Sequence, residues 1–240
     1  MSMLSDMLRD MLSLIAPALC PICGRELHSK GSVVCPMCEM TAPMTNLWRE
    51  QHNIMCERFW GLMPVERASA FVWYVEGNPW RDMVHRFKYA GQWRVAYNVG
   101  RWYGAELRES GLYGDVDVVV PVPLHLGRRL WRGYNQSEYI ARGIARELGV
   151  EVDAGAVCRH RYNRSQTTQR ADERWDNVEG IFRVKHPERL KGKHILLVDD
   201  VFTTGATIMS LGSAILSAVE DARLSVAVLA ASRYGLRVKS

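Results

Sequence analysis

From residue 60 onward the apolar residues alternate between two kinds of run. Short, branched, bounded runs suit strands, and apolar residues recurring every three or four positions suit amphipathic helices. Ser69 to Tyr74 reads as the first strand. Pro79 to Ala90 and Val95 to Arg108 read as helices, punctuated by Gly91. Val116 to Val122 is nearly all valine, the composition of a strand buried on both faces. Asn135 to Leu148 places Ile140, Ile144 and Leu148 on one helix face, with Gly149 as its stop. Ala154 to Arg159 reads as a further strand, and 160–180 is polar and turn-rich. The run Ile195-Leu196-Leu197-Val198 belongs to a strand at 194–199. A helix from Gly205 to Val219 and a last strand from Leu224 to Ala231 complete the pattern. Strands alternating with helices predict an α/β fold with a parallel, doubly wound sheet, whose ligands bind at the carboxyl ends of strands.

The first 58 residues read differently. Leu4, Met7, Leu8, Met11, Leu12 and Ile15 recur at spacings of three and four. This predicts a short amphipathic helix packed on the protein, and a membrane-surface or partner-binding helix is the other reading of the same face. Asp6, Arg9 and Asp10 interrupt the apolar N-terminus, so it does not read as a secretory signal. No run of 18 apolar residues occurs that would span a membrane. The expected location is the cytoplasm.

Cys20-Pro-Ile-Cys23 and Cys35-Pro-Met-Cys38 form two Cys-x-x-Cys pairs, with eleven residues between them. Two such turns face to face supply four thiolates at tetrahedral geometry, which suits zinc. All four positions are then filled by protein, so the ion is structural. Two disulfides are the competing reading, which a cytoplasmic chain disfavours. Cys56 and Cys158 lack this spacing and read as buried thiols. A knuckle this small has little core, so the metal should supply much of its folding energy. The polar stretch from Thr45 to Asn53 marks where it ends. The expected division is 1–58, an N-terminal helix and four-cysteine zinc-binding domain, and 59–240, the larger domain.

With 240 residues the chain can hold one sizeable domain and a small one, and its 48% hydrophobic content supplies a core. The net charge is +5. Residues 1–60 carry five Lys/Arg against six Asp/Glu, so the positive excess lies in the larger domain. That permits a polyphosphate or nucleic-acid partner without requiring one.

The densest chemistry is HILLVDDVFTTGATI, residues 194 to 208. Asp199 and Asp200 come where the buried strand should end, and Thr203-Thr204-Gly205-Ala206-Thr207 turns into a helix. Such a turn aims backbone N–H groups and a positive helix end at one spot, which favours an anion. A ligand that uses both halves has hydroxyls or a metal at one end and a phosphate at the other. An ATPase-type phosphate loop is absent, because Gly205 is followed by Ala206 and no Gly-Lys-Ser/Thr occurs there. The Gly-x-Gly-x-x-Gly fingerprint of dinucleotide sites is also absent. A response-regulator receiver would need roughly one hundred further residues after its paired acids. Only 40 follow Asp200.

ILLVDDVFTTGAT resembles the phosphoribosyl pyrophosphate motif of type I phosphoribosyltransferases. The resemblance implies that Asp199 and Asp200 hold the ribose 2′ and 3′ hydroxyls, and that Thr203, Thr204, Gly205, Ala206 and Thr207 wrap the 5′-phosphate. Carboxylates accept from sugar hydroxyls and a helix N-terminus receives the dianion, so the physics agrees. VVVPVPLHLGRRLWRGYNQSEYIA, RSQTTQRADERWDNVEGIF, HRFKYAG and the paired Cys-x-x-Cys together resemble the ComF family of competence-associated phosphoribosyltransferase-like proteins, in the same order along nearly the whole chain. Some members carry another Cys-x-x-Cys element. Here Cys56 is followed by Phe59 where the second cysteine would fall, so no second zinc is expected.

The type I resemblance further implies that the loop at Pro121-Val122-Pro123-Leu124-His125 grips the pyrophosphate, with Arg128, Arg129 and Arg132 just after it. Guanidinium forks match phosphate oxygens. A solvated basic face is the other reading of these arginines. Residues 161–176 would form a hood, from which Arg161, Arg164 and Arg170 reach the leaving group; a plain surface loop is the alternative. Gln166 and Thr167 would position this loop or contact a base. The implied reaction displaces pyrophosphate from ribose C1 through an oxocarbenium-like transition state, with Asp199, Asp200, Arg164 and Arg170 as its catalytic set. Magnesium would bridge ligand oxygens, largely through the ligand and waters. No general base for a purine or pyrimidine emerges, so the acceptor is not readable.

ComF resemblance also implies a role in natural transformation on incoming single-stranded DNA, alongside competence proteins. The second reading is therefore a catalytically inactive nucleotide- or single-stranded-DNA-binding module with the same fold. Trp48 and Trp60 could stack bases beside the knuckle. The net negative charge of residues 1–60 argues against the knuckle as the sole DNA site.

Overall fold

The protein is described from a computed structural model, which covers residues 19–27, 32–87, 91–125, 127, 131–160 and 180–236. The amphipathic segment expected at 4–15 lies outside these residues. Two short helices come first, α1 (Pro36–Met40) and α2 (Ile54–Glu57). Strand β1 (Arg67–Trp73), helices α3 (Pro79–Phe87) and α4 (Trp93–Glu109), strand β2 (Val118–Pro121) and helix α5 (Gln136–Leu148) follow. Then come β3 (Glu151–Val152), β4 (Val157–Arg159), β5 (Phe182–Val184), β6 (His194–Phe202), α6 (Ala206–Ala218), β7 (Arg223–Ala231) and α7 (Arg233–Leu236).

Five strands form one parallel sheet in the order β1-β7-β6-β2-β3. Both faces are covered, as their apolar composition requires. Leu196, Val198, Leu229 and Val119 pack under α3, α4 and α5 on one face. Ile195, Leu197, Val226 and Val120 pack under α6 and the α2 turn on the other. After β2 the chain crosses outward to β3, and after β6 it crosses the opposite way to β7. The order therefore reverses between β2 and β6, which opens a crevice at their carboxyl ends.

Helices α4 and α5 run side by side, their residue numbers rising together across the contact. A β-carbon on Gly100 or Gly143 would overlap backbone atoms of the partner helix. Close approach holds both N-termini toward the carboxyl end of the sheet. The segment after α1 lines the free edge of β1, where Thr45 N–H donates to Phe71 O at 3.0 Å and Trp73 N–H to Pro43 O at 2.7 Å. The polar stretch ending at Asn53 is tied down by that residue. Asn53 caps α2 by accepting from Met55 and Cys56 N–H, and its amide donates to the Leu47, Glu50 and Ala68 carbonyls. Among the described residues, no helix is long and apolar enough to cross a membrane.

The strand expected at Ala154–Arg159 is placed differently. Asp153 Oδ1 accepts from Gly155 N–H at 2.9 Å and Ala156 N–H at 2.8 Å. This side-chain turn ends the parallel sheet at the two-residue β3 and redirects the chain. Val157–Arg159 then pairs antiparallel with Phe182–Val184 in a separate hairpin.

At the amino end of the sheet, fully buried His194 lies with Nε2 2.8 Å from Ser225 Oγ and Nδ1 3.1 Å from Asp115 Oδ2. Asp115 also meets Arg67 at 2.7 Å and Arg223 at 3.3 Å, while Asp117 accepts from His194 N–H. Burial pushes the His194 ring below its ordinary value, and Asp115 only partly offsets it. Burial pushes Asp115 up, but pairing with Arg67 more than reverses this and holds its carboxyl low. In the unfolded chain a histidine titrates near about 6.5, so below that pH the unfolded state binds more protons. Stability should fall as pH drops from neutral through 6, and fall again below the ordinary carboxylate range as Asp115 protonates. Urea midpoints measured at pH 7.5, 5.5 and 3.5 check this. A His194→Gln variant should flatten the first step, and an unchanged slope there would refute it.

Candidate functional site

Strand β6 continues four residues past its neighbour β2. Pro121 is paired with Val198, whereas β6 goes on pairing with β7 to Phe202. Asp199 and Asp200 thus stay in extended strand but project beyond β2, at the crevice where the strand order reverses. The sequence expectation that the strand ends at the acids holds only on the β2 side. Asp199 is buried, and its Oδ1 accepts from Ser137 Oγ at 2.9 Å and from Asp200 N–H at 2.8 Å. Asp200 is half-buried.

The loop that follows is exposed at Thr203 and Thr204. Thr204 Oγ1 accepts from Ala206 N–H at 3.4 Å, a side-chain turn that tightens the bend into α6. Gly205 precedes α6 with φ +81°, and a β-carbon there would lie 2.7 Å from the Phe202 ring. Left-handed backbone and lack of space both require glycine. Gly205 has no side chain with which to cap α6, so the positive end of the helix is presented beside the two acids.

Val122 and Pro123 begin the neighbouring loop. Val122 N–H donates to Val198 O at 2.8 Å, which sets this loop directly beside Asp199. Asn135, at the start of α5, donates from Nδ2 to Val122 O at 3.0 Å. The α5 start thus ties the two strand ends together, through Asn135 on one and Ser137 on the other. Arg132 is half-buried just before it. Arg128, Arg129, Arg161, Arg164, Arg170, Gln166 and Thr167 lie outside the described residues.

The four cysteines of the knuckle do meet. The Sγ atoms of Cys20, Cys23, Cys35 and Cys38 all lie within 4.8 Å of one another, and Cys23 and Cys35 sulfurs are 3.6 Å apart. Sulfurs about 2.3 Å from a tetrahedral zinc sit roughly 3.8 Å apart, so the donor set fits that ion. All six cysteines are free thiols, which removes the disulfide reading. The first pair forms a tight turn, with Gly24 N–H on Cys20 O at 2.8 Å; the second opens α1 from Cys35. Arg86 of α3 donates to the Pro21 carbonyl and, at 3.4 Å, to that of Ile22, fastening the first turn to the larger domain. The Arg25 N–H lowers the Cys23 thiol to about 6, whereas burial and then the neighbouring thiols push Cys38 up. Cys20, Cys35 and Cys38 belong to the hydrophobic cluster that contains Trp48, Phe71 and Trp80.

Comparison with known proteins agrees with this geometry. The phosphoribosyl transferase domain family matches residues 135–240. DNA utilization protein YhgH of Escherichia coli (strain K12) is 29% identical over 203 residues, which cover 82% of this chain and 84% of that protein. Competence protein F of Haemophilus influenzae is 27% identical over 139 residues, 56% of this chain and 60% of that protein. Competence protein ComFC of Bacillus subtilis (strain 168) is 27% identical over 203 residues, 83% of this chain and 72% of that protein. These similarities support a ComF-family phosphoribosyltransferase-like protein. Its architecture is the α/β fold of type I phosphoribosyltransferases, with a four-cysteine knuckle near the N-terminus.

Two expectations for this chain need correction. Trp48 cannot stack a base: it is 1% exposed, with its ring 5.7 Å from Phe71 and 5.8 Å from Tyr103. Trp60, by contrast, is 65% exposed. Cys56 is buried as expected, but Cys158 is only half-buried. Sequence reasoning also assigned no role to Asn135 and Ser137. The expected helix from Asn135 to Leu148 contained both residues without distinguishing them. Here neither side chain caps α5; they are used across the crevice instead.

Proposed function

We propose that this protein binds phosphoribosyl pyrophosphate at the carboxyl ends of β2 and β6. One observation carries the reading: Asp199 and Asp200 overhang β2 immediately before an uncapped helix start at Gly205, at the reversal of strand order. The acids accept from the ribose hydroxyls, and the loop Thr203–Thr207 holds the 5′-phosphate at the positive end of α6. The pyrophosphate is assigned to Val122, Pro123, Arg128 and Arg132, and Arg164 and Arg170 are assigned to the same leaving group by the type I resemblance. Magnesium, when bound, neutralises pyrophosphate charge. In transfer, a nucleophile bonds to ribose C1 as the bond from C1 to the pyrophosphate oxygen breaks. The chain's contribution is to hold the ribose and its phosphate in place while that charge develops.

The same reading divides the chain into 1–58, holding structural zinc, and 59–240, holding the ligand. The names of the relatives tie those proteins to DNA utilization and competence. We carry that to this chain as a cytoplasmic role in DNA uptake, with single-stranded DNA and competence proteins as partners.

Calorimetric titration with phosphoribosyl pyrophosphate and magnesium tests the binding, and mass spectrometry of mixtures with nucleobases and nucleotides tests turnover. Saturable heat with a new ribosylated product supports an enzyme. Saturable heat without any product supports an inactive binding module of the same fold. No saturable heat removes the ligand assignment.

A further inference from the structure

After β7 the chain turns back onto the phosphate loop. Ser232 N–H donates to Phe202 O at 3.0 Å, and Leu236 N–H donates to Ser232 O at 3.3 Å. Within this turn, a β-carbon on Gly235 would overlap the Thr203 carbonyl oxygen and lie 2.7 Å from its carbon. Backbone meets backbone there, so no flexible side chain could move aside to make room. On the other side of the loop, Gly205 sits against the Phe202 ring. The stretch from Phe202 to Gly205 is therefore closed on itself at Gly205 and braced from outside at Gly235, both contacts that leave no room for a β-carbon. Leu236, 2% exposed, anchors the turn in the cluster that contains Phe202, Ile208 and Leu211. Arg233 places its guanidinium 5.2 Å from the Trp73 ring and so ties the turn to β1. Tyr234 between them is 85% exposed.

We propose that the turn Ser232–Leu236 is a positioning element of the ribose-phosphate site, and that Gly235 sets the position of the Thr203 backbone. The proposal rests on the phosphoribosyl pyrophosphate reading for its ligand, but its steric content does not. Gly235 touches no ligand; it acts through the loop. A loop whose amides already point at the anion loses little freedom on binding, and a displaced loop must be reordered each time. The last described helix of the chain, remote in sequence from Asp199, thereby becomes part of the binding apparatus.

Gly235→Ala in the full-length chain tests this, with three readouts: thermal unfolding, hydrogen exchange of the Met209 and Ser232 amides, which donate to the Gly205 and Phe202 carbonyls, and affinity for phosphoribosyl pyrophosphate with magnesium. Protection of both amides should drop, and affinity should weaken on the order of 10-fold or more well below the melting temperature. Tyr234→Ala should leave protection and affinity unchanged. Asp200→Asn should weaken binding while leaving this protection intact, which separates a lost contact from lost positioning. If Gly235→Ala does not fold, Leu236→Ala decides, because it loosens the anchor without inserting an atom; protection and affinity should both fall. If wild-type protein does not bind the ligand, the ribose-phosphate reading fails alone, and exchange at Met209 and Ser232 still decides the brace. A folded Gly235→Ala chain with native protection at both amides overturns the proposal, as does native protection in Leu236→Ala when that variant decides.

Discussion

Removing the zinc that we propose at Cys20, Cys23, Cys35 and Cys38 should unfold the knuckle while the parallel sheet survives. Structural zinc contributes on the order of 10–16 kcal/mol in small zinc-folded peptides, far more than any single contact here. The described knuckle is two short turns and the five-residue α1, which cannot hold four thiols within 4.8 Å of one another unaided. Once the metal leaves, ionised thiolates at that spacing repel and neutral ones gain little from proximity. The sheet has its own two-faced core and should persist. Purified protein should contain about one zinc per chain, as one four-thiolate site requires. A strong chelator should then release it, with loss of hydrogen-exchange protection at 20–40 and retention along β6 and β7. Trp48 lies in the cluster shared by the cysteines, so its fluorescence should shift as well. Full protection at 20–40 after complete metal removal would sink the structural role.

The two acids should separate cleanly under mutation. Hydrogen bonds to charged groups contribute roughly 1.5–3 kcal/mol each. Asp200→Asn should therefore weaken phosphoribosyl pyrophosphate binding by about 10–100-fold, with the melting temperature nearly unchanged, because Asp200 is half-buried at the crevice. Asp199→Ala should cost both affinity and stability. Its carboxylate is buried and receives the Ser137 hydroxyl and the Asp200 amide, so truncation strands both donors. Ser137→Ala should reproduce part of the stability loss. Calorimetry and thermal melts on the three variants check this. Unchanged affinity in both aspartate variants would reject the ribose assignment, and equal melting temperatures would reject the division of labour between them.

Much of this architecture was legible from local pattern. The valine-rich β2, the apolar run of β6 and the spacing of Ile140 and Ile144 on α5 each specify their element through periodicity and burial, which short segments carry by themselves. The four-cysteine cluster was equally legible, because two Cys-x-x-Cys turns have few other uses. The paired acids and the glycine before α6 were legible as a candidate ligand cradle, since accepting carboxylates and donating amides and hydroxyls occur there within nine residues.

Tertiary structure alone decided the rest. Ala154 to Arg159 has strand composition, but composition does not say which strand it pairs with; the Asp153 side-chain turn sends it to β5. Trp48 looked available in a polar stretch, yet its ring fills the space between Phe71 and Tyr103, distant residues that a local window cannot include. Asn135 and Ser137 were two residues of an expected helix, and became crevice ties only because β2 and β6 are neighbours in the sheet. Gly235 lies 30 positions after Gly205, and no local pattern connects the two. By itself the sequence determined most of the strands and helices, where four thiols that could hold a metal lie and that two acids precede a glycine-containing helix start, because those follow from residue type at short spacing. Which strand ends adjoin, which side chains cross between them and which glycine the loop rests on were set by packing, where contacts join residues far apart in the chain.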